Sequence, residues 1–303
     1  MANSRALGVI GLGRMGRPLA ERLLKGRSPV WVWDTAEPCR APFEGKRGAR
    51  IATPGEMARD CRVIFFVVPS SQEVAECFDG RDGVLPNARK GLTIVDLTTS
   101  DPAETRKLAR RAARKGIDYL DAGMSGGPAG VAAGTLALMI GGDANVLQRV
   151  KPSLNAFAQH LFHLGPLGSG HAMKLIHNMV LHTIFVATCE GARMAEKMGM
   201  RVQDMVDVCN VSTAFSYASR HRFPNNILNG SWNAQARIYN PYKDVGIAVR
   251  LAKECGADVE LGERTLAFLE KAIARGMVED DYSLLYRDFD EIRKAGRRKL
   301  RSE

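Results

Sequence analysis

Leu7-Gly8-Val9-Ile10-Gly11-Leu12-Gly13-Arg14-Met15-Gly16 is a short apolar run that breaks into a G-x-G-x-x-G turn, and Arg17 to Lys25 then reads as a helix. Each glycine has its own reason. Gly11 permits the tight turn, Gly13 lets backbone approach a pyrophosphate, and Gly16 lets the new helix pack closely on its strand. The helix N-terminus adds unpaired N–H groups and the positive end of its dipole. The next apolar run, Val30-Trp31-Val32-Trp33, ends in Asp34, about twenty residues past the glycines, where a carboxylate accepts ribose hydroxyls. This spacing assigns Gly11, Leu12, Gly13, Arg14, Met15, Gly16 and Asp34 to a dinucleotide site. NAD is favoured over NADP, because Asp34 repels a 2′-phosphate and is followed by Thr35, although Arg40 in the next loop could reach such a phosphate.

Short apolar runs alternate with helix-like stretches up to about residue 165: Gly8 to Ile10, Val30 to Trp33, Val63 to Val68, Thr93 to Leu97, Ile117 to Leu120 and Leu136 to Ile140. Such alternation predicts an α/β domain with a doubly wound, mostly parallel sheet, whose ligands bind beyond the C-terminal strand ends. After Gly165-Pro166-Leu167-Gly168-Ser169-Gly170 the pattern turns helical, so the boundary is placed there: residues 1–165, an all-α domain over 166–292, and a basic tail over 293–303. His171 to Met198 reads as one long helix joining the domains. It is apolar on several faces from Met173 to Ala187, which predicts burial in a domain or subunit interface.

The chain has 303 residues, enough for two cores, and a formal charge of +10. Much of the excess lies in Arg106 to Lys115 and Arg293 to Arg301. These read as a solvated helix face and a terminal tail, which argues against nucleic acid and suits an acidic substrate. Six cysteines without C-x-x-C or metal-ligand spacing predict reduced thiols, a cytoplasmic location and no metal. No apolar run has the length to span a bilayer, so no membrane partner is expected.

Within the long helix, Lys174 and Asn178 share a face, one turn apart. A lysine there either exchanges protons, its ammonium disfavoured by burial, or snorkels to solvent. His171 and His177 lie on other faces and read as structural or surface residues. Asp121-Ala122-Gly123-Met124-Ser125-Gly126-Gly127-Pro128 follows a predicted strand and offers a hydroxyl and backbone N–H groups to an anion, or is a plain turn. Gly123 to Gly127 also fits G-x-S-x-G, the serine hydrolase elbow, with Ser125 as nucleophile; against it, Gly126 to Gly130 delays the helix that an elbow needs at once. Thr98 and Thr99 are hydroxyls beside a cofactor, or a helix cap before Pro102.

GLGRMG at 11–16, Val67-Val68-Pro69, DLTTSDP at 96–102, DAGMSGG at 121–127, GxxxKxxxN from Gly170 to Asn178, and Lys243-Asp244 together resemble the β-hydroxyacid dehydrogenase family, its 3-hydroxyisobutyrate dehydrogenase-like branch above all. The resemblance covers nearly the whole chain. It implies a Rossmann N-terminal domain, a helical C-terminal domain like that of 6-phosphogluconate dehydrogenase, a site in the cleft between them and a homodimer or homotetramer. It also implies that Lys174 is the catalytic lysine and Asn178 its substrate-binding partner. Ser125, Gly126 and Gly127 would hold a substrate carboxylate, while Val68, Pro69, Thr99 and Lys243 would contact the dinucleotide. The expected reaction links a small 3-hydroxy carboxylate to its semialdehyde or 3-oxo acid. A silent dinucleotide-binding scaffold is the alternative, against which retention of Lys174 argues. The chain departs from the family where Gly123-Met124 replaces Pro-Val and His177-Asn178 replaces paired asparagines; both changes border the substrate. Arg220, in Ser216 to His221, is a further candidate anion contact.

Overall fold

The computed structural model describes residues 6–295. Residues 296–303, most of the expected basic tail, lie outside the described residues. The chain divides into two compact units, ending and beginning at Lys174 and Leu175.

The first unit holds one sheet of eight strands: β1 (Leu7–Ile10), β2 (Val30–Trp33), β3 (Ala49–Ile51), β4 (Val63–Phe66), β5 (Thr93–Asp96), β6 (Asp118–Ser125), β7 (Leu136–Gly141) and β8 (Ala158–His163). Their order is β3-β2-β1-β4-β5-β6-β7-β8. Between them run α1 (Gly16–Leu24), α2 (Glu37–Arg40), α3 (Pro54–Asp60), α4 (Ser71–Phe78), α5 (Val84–Asn87), α6 (Pro102–Ala113), α7 (Gly127–Ala133) and α8 (Ala144–Leu154). Every residue of β1, β4 and β5 is buried, as befits central strands covered on both faces. Successive side chains point opposite ways: Val63 and Phe65 join a core with Leu19, Leu23, Val131 and Leu147, whereas Ile64 and Phe66 join one with Met57, Val74, Phe78 and Leu108.

Three features of this unit go beyond what the sequence specified. β7 pairs antiparallel with β6, while every other pairing is parallel. The connection contains only the two-turn α7, too short for the usual crossover of a parallel pair. β3 and β8 carry no clear signal because they are edge strands. β3 is three residues long around exposed Arg50, and β8 shows Gln159, His160 and His163 to solvent.

α9 (Ser169–Lys197) is one continuous helix, as expected, and begins within the first unit. The second unit continues with α10 (Val202–Val211), a π-helical segment over Ala218–Leu228, α11 (Tyr239–Cys255), α12 (Glu260–Ala274), α13 (Leu284–Arg287) and α14 (Phe289–Lys294). Its core is aromatic, with Phe185, Phe223, Tyr282, Tyr286 and Phe289 buried together.

Within the single chain α9 is buried on one side only, which leaves the expected subunit interface untested. Leu175, Phe185, Cys189 and Ala192 are buried, but Ile176 is 51 % and Val180 50 % exposed, and Met173 and Ile184 share that stripe. By length and composition α9 is also long and apolar enough to cross a bilayer, contrary to the expectation that no segment is. That expectation counted consecutive apolar residues, and Lys174, His177, Asn178 and His182 interrupt them. The protein satisfies some of these polar groups itself: Asn178 donates to Asp244, and His182 bonds the Tyr282 hydroxyl.

Candidate functional site

The glycine loop follows β1 directly. Gly11 has a φ of +93°, and a Cβ on it would stand 2.3 Å from the Val67 carbonyl oxygen. On Gly16 it would stand 1.8 Å from the Gly11 oxygen, so loop, α1 and the exit of β4 touch backbone to backbone. Above Gly13 there is nothing within 4 Å, which leaves the approach a pyrophosphate requires. β1 lies between β2 and β4, so the loop sits where the strand order reverses and ligand crevices form. The residues fit a dinucleotide.

Asp34, just past β2, is held more firmly than its spacing reveals. Oδ2 accepts from Leu12 N at 2.7 Å and Oδ1 from Ala36 N at 2.9 Å. A carboxylate has about four lone-pair positions, so capacity for ribose hydroxyls remains. Arg40, expected in a loop, ends the short helix α2 and stacks over the Trp33 ring at 4.7 Å. Val68 lies against the loop, its Cγ1 3.1 Å from where a Gly11 Cβ would be. Pro69 is exposed beside it, and Thr99 is half-buried after β5. The cap of α6 is Asp101, which accepts from Ala103 N, so neither Thr98 nor Thr99 has the capping role.

At the end of β6, Ser125 is half-buried, Gly126 takes a φ of +127° and Gly127 opens α7. The expectation that Gly126 to Gly130 delays a helix is therefore wrong. Pro128 sits in the first turn of α7, where its missing N–H goes unneeded. The strand–turn–helix outline of an elbow is present, yet its strained serine is not. Among the described residues the non-glycine positions with positive φ are Trp232 and Gln235, so Gly126, not Ser125, takes the bend.

Lys174 stands in the second turn of α9, against β6. A Cβ on Gly123 would lie 2.4 Å from Lys174 Cβ and 2.9 Å from its Cγ. Just before it, buried Asp121 accepts from Gly168 N (2.7 Å) through Oδ1 and from His171 N (2.8 Å) through Oδ2. The His171 ring is fully buried; Nε2 donates to the Asp96 carbonyl oxygen at 3.0 Å, and Nδ1 is 2.8 Å from Thr105 Oγ1. His171 is thus structural and not a surface residue. The Asp96 carboxylate accepts from Tyr119 Oη (2.8 Å) and Thr98 N (3.1 Å). Burial pushes the Asp96 carboxyl above the usual carboxylate range, although His171 and those hydrogen bonds oppose the shift. Burial, with the Asp96 charge, drives the Tyr119 phenol well above its ordinary value.

In the second unit, Asn178 Nδ2 donates to Asp244 Oδ2 at 2.6 Å, and its Oδ1 takes a 3.0 Å bond from His177 Nδ1. Asn178 keeps one amide hydrogen uncommitted by these bonds. Lys243 Nζ is 3.3 Å from Asp244 Oδ1. Asp244, 5 % exposed, is the organising residue here; sequence reasoning quoted it within the Lys243-Asp244 motif but gave it no role. The Arg220 guanidinium stacks on Phe215 at 4.0 Å.

Comparison with known proteins identifies the family. Residues 6–165 match the family model for the NAD binding domain of 6-phosphogluconate dehydrogenase. Residues 168–289 match that for the NAD-binding domain of NADP-dependent 3-hydroxyisobutyrate dehydrogenase. The chain is 30 % identical to 2-(hydroxymethyl)glutarate dehydrogenase of Eubacterium barkeri, over 96 % of this chain and 97 % of that one. It is 29 % identical to an NAD-dependent L-serine dehydrogenase of Pseudomonas aeruginosa, covering 94 % and 98 %. A solved structure of Mycobacterium tuberculosis 3-hydroxyisobutyrate dehydrogenase with L-serine superposes with a TM-score of 0.82 at 27 % identity, covering 94 % and 99 %. With a glycine cradle at the strand-order reversal and relatives matched end to end, the chain belongs to the β-hydroxyacid dehydrogenase family, in its 3-hydroxyisobutyrate dehydrogenase-like branch, and is an NAD(P)-dependent dehydrogenase.

Proposed function

We propose that this dehydrogenase interconverts a small 3-hydroxy carboxylate and its semialdehyde or 3-oxo acid, with Lys174 as general acid and base and NAD as the preferred cofactor. One observation carries the reading: the Lys174 stem is pressed on Gly123, two residues before Ser125, in the strand that leads into the glycine turn. The substrates that name three relatives, 2-(hydroxymethyl)glutarate, L-serine and 3-hydroxyisobutyrate, share a hydroxyl on the carbon next to the one bearing the carboxylate.

The bound nicotinamide supplies the hydride acceptor in oxidation and the donor in reduction. Neutral Lys174 takes the hydroxyl proton in oxidation, and its ammonium returns that proton in reduction. The same charge stabilises the negative oxygen that develops during transfer. Asn178 turns its remaining amide hydrogen to that oxygen. The Ser125 hydroxyl and the N–H groups of Gly126 and Gly127 hold the carboxylate, and Val68, Pro69, Thr99 and Lys243 line the dinucleotide. Asp34 favours NAD by repelling a 2′-phosphate. The exposed stripe of Met173, Ile176, Val180 and Ile184 supports a homodimer or homotetramer, since a second copy would bury it. A cytoplasmic location fits the six free cysteines.

The purified protein should reduce NAD with one or more of the acids 3-hydroxyisobutyrate, L-serine and 2-(hydroxymethyl)glutarate, and lose that activity with their methyl esters. Esters turned over as well as acids would sink the carboxylate clamp. No turnover with any 3-hydroxy acid in either direction would sink the substrate class. Light scattering reading a monomer at working concentration would remove the oligomer.

A further inference from the structure

We propose that the C-terminal half of β6 is a fitted seat for Lys174, in which Asp121, Gly123 and His171 act as positioning residues that set where the amine stands. The proposal rests on Lys174 being the proton-transfer group.

Four independent contacts converge on the first two turns of α9. Asp121 satisfies two N–H groups there, those of Gly168 and His171. Such donors have no partner within a helix, and a carboxylate also complements the positive end of its dipole. His171 ties the same turn to β5 through the Asp96 carbonyl and to α6 through Thr105. Gly170 lets the turn lie flush on the sheet, for a Cβ there would fall 2.2 Å from the Met139 oxygen and 2.7 Å from the Asp121 oxygen. Gly123 closes the seat under the lysine itself, since its missing Cβ is space already filled by the Lys174 stem.

These contacts leave the helix little freedom to slide or roll at residue 174. Asp121 fixes the turn along its axis, and His171 and Gly170 fix its height above the strands. A side chain at 123, even a methyl, would start about an ångström inside ordinary van der Waals contact. The lysine stem or the first turn must then retreat. Misplacing a reacting group by about 1 Å can cost on the order of 10²-fold in rate. The glycine at 123 is thus a determinant of amine position in this chain, whose partner residue is the lysine.

The test compares full-length Gly123→Ala, Thr105→Val and Lys174→Ala with the wild type. NADH affinity is read by fluorescence, and kcat and KM with the semialdehyde of 3-hydroxyisobutyrate. The deuterium isotope effect is read with 4-deuterated NADH. Gly123→Ala is expected to keep NADH affinity within about twofold, to lose on the order of 10²-fold in kcat with KM little changed, and to show a larger isotope effect on kcat as hydride transfer becomes limiting. Thr105→Val, which removes the hydroxyl that His171 shares with the Asp101 carbonyl, should move the same quantities the same way by a few-fold. It serves as the deciding variant if Gly123→Ala does not fold. Wild-type kcat in the folded variants, or a loss shared equally by kcat and NADH affinity, would overturn the seat. If Lys174→Ala itself keeps wild-type turnover, the lysine mechanism fails instead, and the two failures are told apart.

Discussion

The turn after β1 and the end of β6 both lie at C-terminal strand ends of one sheet, yet they are made differently. The first is built from missing atoms: Gly11 and Gly16 bring backbone to within contact of backbone, and Gly13 leaves its upper side open. The second is built from buried polar side chains, with Asp121, His171, Asp96, Tyr119 and Thr105 each engaged by another element. An open cradle suits a cofactor whose phosphates need only N–H groups and room. A closed seat suits a single amine that must stand in one place.

The largest expected effect falls on the seat. Lys174→Ala removes the proposed proton-transfer group and its charge, and should lower turnover by ~10⁴-fold or more. Cofactor affinity should survive, because the cradle is separate. Turnover and NADH binding measured side by side check this, and near-normal turnover would break the contrast by removing the lysine from the chemistry.

Within the cradle, Gly16→Ala and Gly13→Ala should part company. The first drives a methyl into the Gly11 carbonyl and should destabilise the fold by about 1–3 kcal/mol or more, as overpacking does. The second meets only open space; melting should be unchanged while dinucleotide affinity falls on the order of tenfold, about 1.4 kcal/mol. Thermal melting and a dinucleotide titration separate the two. Equal melting points would show that the close approach at Gly16 has slack.

Asp34→Asn gives the smallest effect and sharpens the cradle further. Asparagine still has an oxygen for Leu12 N but has lost the charge. The ratio of specificity constants for NAD over NADP should drop on the order of tenfold, with turnover of NAD largely kept. An unchanged ratio would leave Asp34 as a tie between β2 and the loop and nothing more.

The same contrast explains what could be read from residues alone. The cradle is contiguous: Leu7 to Gly16 carries strand, turn and helix start in one stretch, and Asp34 follows at a distance set by one helix and one strand. The central strands were equally plain, since burial on both faces makes them continuously apolar. The seat was opaque because its parts come from residues 96, 105, 121, 123 and 170–171, brought together only by strand pairing and by the opening residues of α9, up to Lys174, lying on β6 and β7. Gly123 stood out as a departure from the family, but its reason needs the Lys174 stem in view. A mostly parallel sheet was expected, but which strand runs the other way stayed open, because alternation reports a strand and not its direction. The helix after Ser125 was missed because Gly-Gly-Pro reads as a breaker until Pro128 is seen in the first turn. The sequence left open whether α9 is covered by its own domain or by another subunit, because an apolar helix face can wait for a partner as well as sit in a core.

Asp121 also dictates where the protein can be cut. The N-terminal family match stops at residue 165, an inviting place to excise a free-standing dinucleotide-binding fragment. A chain ending there would lack Gly168 and His171, leaving a buried carboxylate in the middle of the sheet with neither of its two donors. Removing one side of such an arrangement costs the full desolvation of the remaining group, more than the bonds were worth while paired. The excisable fragment is therefore longer than the match and must carry the opening turns of α9, Lys174 among them.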